Sequence, residues 1–123
     1  MIEVKIKPID ELNNISIRCT ESTHCAIILE KDQILGYAEI MFTSNRFDLL
    51  FSKMITNDVS LFDGLIKTVI NYCYLNEIKK IKIIDEKSLD YVKKRKIKIV
   101  DQNVYIKDFV SCSTCMRKIN ENV

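Results

Sequence analysis

A chain of 123 residues with 47% hydrophobic content is the size of one domain and carries enough apolar surface to build its own core. Two glycines and one proline exclude a linker-rich or disordered chain, and a net charge of +2 singles out no partner. No apolar run reaches the roughly eighteen residues of a membrane span, so no membrane partner is expected.

The start, Met1-Ile2-Glu3-Val4-Lys5, lacks the basic-then-apolar pattern of a secretory signal, so a cytoplasmic location is expected. Reduced thiols are then expected at Cys19, Cys25, Cys73, Cys112 and Cys115, and an odd number also fits poorly with a full disulfide framework.

Ile2, Val4 and Ile6 alternate with Glu3, Lys5 and Lys7, the period of a half-buried strand that Pro8 ends. Residues 9–12 allow one short helical turn. Cys25–Leu29 is an apolar run, followed by the polar turn Glu30-Lys31-Asp32-Gln33. Ile34–Phe42 reads as the next strand, with Gly36 at a bulge, and Phe47–Ile55 as a third. Short connections between these strands predict an antiparallel meander.

A long helix is predicted over residues 60–77. Leu61, Leu65, Val69 and Cys73 recur every four residues, joined by Phe62, Ile66 and Ile70, and form a wide apolar stripe suited to a sheet. Ser60 is the predicted cap, accepting from the Asp63 amide. The pattern then switches to period two over Ile78–Ile84. A shorter helix is expected at residues 86–95, then two strands, Ile97–Val100 and Val104–Val110, joined by Asp101-Gln102-Asn103.

Nine basic residues crowd positions 79–98. No recognised nucleic-acid motif accompanies them, and their alternation fits the solvent side of strands, so no nucleic-acid partner is expected.

With Gly36-Tyr37-Ala38-Glu39-Ile40, the helix body Leu65–Tyr72 and the strand Lys80–Ile84, this order of elements resembles the GNAT superfamily of N-acetyltransferases over about residues 22–110. The resemblance implies an α+β fold, an α/β three-layer arrangement around a mixed, mostly antiparallel sheet of about six or seven strands. It implies a single domain over residues 1–110 and leaves 111–123 as a cysteine-containing C-terminal tail. It also implies acetyl-CoA as cofactor, held where the strand at 47–55 and the strand at 78–84 splay apart.

In that family a loop of the form Arg/Gln-x-x-Gly-x-Gly/Ala precedes the long helix, so that backbone amides can approach the pyrophosphate. The cofactor-binding residues implied here are Ile55, Asn57, Ser60, Leu61, Phe62, Asp63 and Gly64. Asn57 stands at the Arg/Gln position, Ser60 at the first glycine and Phe62 at the second, and all three depart from the motif. Asp58 and Asp63 add negative charge where phosphates would lie. Tyr91 falls where many members carry a tyrosine that protonates the departing thiolate. About fifteen residues separate the first two strands, too few for the two helices that usually shape the acceptor pocket.

Cys112-Ser113-Thr114-Cys115 is the sharpest local motif. Two thiols at this spacing can share a zinc ion or form a redox pair, and Cys19, His24 and Cys25 are the further ligands available. The expected function is therefore acetyltransferase-like, of unknown substrate, with a degenerate acyl-CoA site. The alternatives are a non-catalytic module forming a homodimer through an exposed sheet edge, and a metal or redox protein acting through Cys112 and Cys115.

Overall fold

The computed structural model describes residues 2–13, 15–44 and 46–110. The alternation at the start forms β1 (Ile2–Pro8), which pairs antiparallel with β2 (His24–Glu30), Val4 opposite Ile28. Between them lie a single 3₁₀ turn, Ile9–Glu11, and an irregular segment. Lys31 and Asp32, both at positive φ (50° and 70°), close a two-residue hairpin to β3 (Gln33–Thr43). Two consecutive positive-φ residues give the turn whose twist matches that of the strands it joins. β3 pairs in turn with β4 (Arg46–Met54).

α1 (Val59–Leu75) then crosses the sheet to β5 (Lys80–Ile83), which lies parallel to β4. A parallel partner requires such a crossover, because no tight turn can reverse the chain twice. α2 (Glu86–Lys94), β6 (Asn103–Tyr105) and α3 (Ile106–Val110) complete the order. Among the described residues six strands lie in sequence order, β1 to β6, and β4/β5 is the one parallel pair. The fold is thus α+β, with a mixed and mostly antiparallel sheet.

The stripe on α1 buries Phe62, Leu65, Ile66, Val69, Ile70 and Cys73 against Ala26, Ile28, Ala38, Ile40, Phe47 and Leu49 of the sheet. Tyr91 and Val92 of α2 and Ile106 and Phe109 of α3 join the same cluster, so all three helices cover one face. The other face presents Cys25, Ile27 and Tyr37, covered by Ile9, Leu12 and Ile15. An irregular segment therefore replaces the helices of a third layer. Glu39, fully buried, pins that segment by accepting from the Arg18 and Cys19 amides, each at 2.8 Å, and from the Ser22 hydroxyl at 3.0 Å.

Several expectations need correction. Val104–Val110 is not one strand: it divides into the end of β6 and helix α3. Ile106 and Phe109, three apart, both point into the core against α1, and that spacing outweighs the brief alternation before it. Ile97–Val100 is not a strand either. Only Val100 bridges, to Asn103, around a two-residue turn in which Asp101 and Gln102 both have positive φ.

Nor is Ser60 the cap of the long helix. Asp58 takes that place, its carboxylate accepting from the Ser60 amide at 2.9 Å and the Ser60 hydroxyl at 2.6 Å. A carboxylate can accept both bonds and also favours the positive end of the helix. At the far end, Glu77 adopts φ 59°, the Glu77 amide donates to the Tyr74 carbonyl and the Ile78 amide to that of Cys73. These two bonds form the helix-ending motif that usually employs glycine.

Candidate functional site

Two strands control the site. Opposite β3, Glu39 pairs with Phe51 but Ile40 pairs with Leu49, so Leu50 is an extra residue that bulges β4. Pairing of β4 with β5 is confined to Asp48↔Lys82 and Leu49↔Ile83. The amides of Ile84 and Asp85 then both converge on the Leu49 carbonyl, at 2.9 and 3.2 Å, as the chain turns away from the sheet.

Past that point Asp85 spans the opening. Its carboxylate accepts from the Ser52 amide at 3.0 Å and the Ser52 hydroxyl at 2.6 Å, and it caps α2 by accepting from the Ser88 amide and hydroxyl. All three side chains are buried. Four donors on one carboxylate satisfy a charge that would otherwise be costly to bury.

Beside this bridge, between the end of β4 and the helices α1 and α2, is a cleft of about 330 Å³. Met54, Val59, Phe62 and Tyr91 supply its apolar walls, and Asp58, Lys87, Asp90, Lys94 and Arg95 supply charge. The Lys87 ammonium lies 4.9 Å from the centre of the Phe62 ring, and Phe62 meets Tyr91 edge to face. Lys94 pairs with Asp90 at 3.3 Å. Thr56, also on the wall, has a buried hydroxyl oxygen with no hydrogen-bond partner among the described residues.

Tyr91 is tied to α1. Its hydroxyl donates to Asp63, the Arg95 guanidinium donates to the same carboxylate at 2.7 Å, and that guanidinium stacks 3.6 Å from the Tyr91 ring centre. Lys67 pairs with the other Asp63 oxygen at 3.0 Å. Partial burial pushes the Asp63 carboxyl up, but the Tyr91 hydroxyl, Lys67 and Arg95 outweigh burial and hold it below its ordinary value. The Ser60 hydroxyl and amide likewise lower the Asp58 carboxyl.

Of the cofactor residues expected from sequence, Asn57 and Phe62 line the cleft, as does Tyr91. Asp63 reaches it through Tyr91 and Arg95. Ile55 and Ser60 are exposed, Leu61 packs toward the core, and Gly64 lies within α1 with no atom within 4 Å of where a Cβ would sit. Asp85, Ser52, Arg95 and Lys87 were missed by sequence reasoning. Asp85 had a detectable signal, an acidic residue three before Ser88 at the start of a polar helix. The other three had none, because their partners are distant in the chain.

These residues fit acetyl-CoA poorly. A buried carboxylate bridges the splay, the Asp58 carboxylate already occupies the Ser60 amide at the helix start, and the Tyr91 proton is directed to Asp63. An incoming pyrophosphate would meet the Asp58 charge beside those amides.

Cys112 and Cys115 lie outside the described residues. His24 and Cys25 project to opposite faces of β2: the His24 ring meets Phe42 and Tyr72 in tilted contacts, while Cys25 is buried beneath Ile9, Leu12 and Ile15. Burial pushes the Cys25 thiol up to about 12 and raises Cys73 further; burial and the nearby Glu39 raise Cys19. No helix among the described residues is long and apolar enough to cross a membrane. Comparison with known proteins adds no assignment: no family model, curated protein or solved structure matches this chain.

Proposed function

We propose that this chain is a non-catalytic binding module built on a scaffold similar to that of the GNAT acyltransferases. The observation that carries this reading is the bridge from Ser52 to Asp85. In the proteins that the sequence resembles, the cofactor lies between the corresponding strands. Here the ladder ends after Leu49 and Ile83, and a buried carboxylate with four donors bridges the two segments just beyond it. Opening it would break two hydrogen bonds to a charged group, a cost of about 3 kcal/mol or more before any ligand contact is made. The cleft between α1 and α2 remains, with an aromatic floor and charges of both signs suited to a small ligand or a partner's side chain.

Titration with acetyl-CoA by calorimetry, with thermal unfolding in parallel, tests this reading. The expected result is no heat of binding and no rise in melting temperature at millimolar ligand. Saturable binding below that range would overturn the proposal and restore the acyltransferase reading, which the shortness of the β4/β5 ladder favours.

A further inference from the structure

At the far side of the sheet from the cleft, β1 is an edge strand whose only partner among the described residues is β2. An unpaired edge of seven residues displays a row of backbone donors and acceptors that can bind another strand. Its side chains are divided by face. Val4 and Ile6 pack against the core under α1, and Ile2, on the same face, is 46% exposed. Glu3 and Lys5 share the opposite face, forming an ion pair at 3.2 Å with both side chains about half exposed.

We propose that β1 is the docking edge for a second copy of this chain, in an antiparallel register centred on Val4. In that register Val4 faces Val4 of the second copy on the two-fold axis, and Ile2 faces Ile6 and Glu3 faces Lys5, these two pairs each occurring twice. The two six-stranded sheets become one continuous sheet, and the apolar row extends the core across the junction while covering Ile2.

The charge pattern and Pro8 together favour this arrangement. Sliding the copies by one step in one direction lets Glu3 meet Lys7 but places Lys5 opposite Lys5 and brings Pro8, which lacks a donor, into the ladder opposite Ile2; sliding the other way places Glu3 opposite Glu3. Like charges directly opposite are destabilising. Lys5 and Lys7 thus discourage pairing with arbitrary strands, while the Glu3–Lys5 pattern is complementary to itself. Pro8, which lacks a donor, falls outside the five paired residues. A five-residue strand junction is a small interface, so a weak, concentration-dependent dimer is expected.

Sedimentation velocity over a concentration series up to the millimolar range tests the proposal. The chain should pass from monomer to dimer, and Glu3→Lys and Lys5→Glu should each weaken self-association by roughly tenfold at low ionic strength, because both charge pairs become repulsive. An equimolar mixture of the two variants should associate like the unmodified chain, since every charge then meets its opposite. The double variant Glu3→Lys/Lys5→Glu should also recover dimerisation. Circular dichroism verifies that each variant is folded. A chain that stays monomeric at millimolar concentration overturns the proposal, as does a mixture no better associated than its components. Acetyl-CoA binding plays no part in these readouts, so this inference and the proposed function fail independently.

Discussion

Ser52 and Asp85, 33 residues apart in the chain, meet through two hydrogen bonds at the point where the ladder between β4 and β5 ends. The contact joins the bulged end of one strand to the cap of the following helix, and it places the same carboxylate across the splay and at the start of α2.

Removing that carboxylate should be costly. Asp85→Ala leaves the amides of Ser52 and Ser88 without their acceptor and is expected to destabilise the fold by about 3 kcal/mol, against about 1 kcal/mol for Ser52→Ala. Urea unfolding of the two single variants and the double variant measures both costs. A coupling between the sites near zero would contradict the bridge.

Asp63 makes stability depend on pH in a defined direction. Its native carboxyl titrates below its unfolded value, so its contribution is complete above roughly pH 4–5 and is lost as the pH falls through the native value. Asp63→Asn should flatten the decline in stability on acidification below about pH 4. Tyr91→Phe removes one of the stabilising partners and should do so in part. Thermal unfolding from neutral to acidic pH is the measurement, and parallel curves for Asp63→Asn and the unmodified chain would contradict the assignment.

The two glycines should respond oppositely to alanine. Gly64 lies in α1 with no positive φ and no atom within 4 Å of a new Cβ, so Gly64→Ala should stabilise by about 0.5–1 kcal/mol, or roughly 3 °C in melting temperature. At Gly36 a Cβ would lie 2.6 Å from the Met54 sulfur and 3.2 Å from the Lys53 carbonyl oxygen. Gly36→Ala should therefore destabilise by about 1–2 kcal/mol, because the Met54 side chain must shift to make room.

The segment covering the second face depends on Glu39. Glu39→Gln replaces charge-assisted acceptors with a neutral amide and should cost about 2 kcal/mol while speeding amide exchange at Arg18 and Cys19. Native Cys25 and Cys73, buried and with raised thiol values, should resist alkylation at pH 8. In Glu39→Gln, Cys25 beneath that segment should become labelled sooner than Cys73, as mass spectrometry of timed samples would show.

Much of the fold follows from local pattern alone. The alternation in Ile2–Lys7, the four-residue repeat from Leu61 to Cys73 and the polar turn at Lys31-Asp32 each specify an element, because periodic burial and turn geometry depend on near neighbours. Where two local signals competed, sequence alone misled: the alternation at Val104-Tyr105-Ile106 concealed the helical spacing from Ile106 to Phe109, which only contact with α1 resolved. The long helix and its apolar stripe are thus properties of the sequence itself. Tertiary structure alone decided the state of the site: Asp85 reaching Ser52, Arg95 and Tyr91 reaching Asp63, and Glu39 securing the irregular segment between β1 and β2. Each of these joins a charge to donors about 17 to 33 residues away in sequence, and desolvation makes such pairs decisive only once the sheet and helices have brought them together.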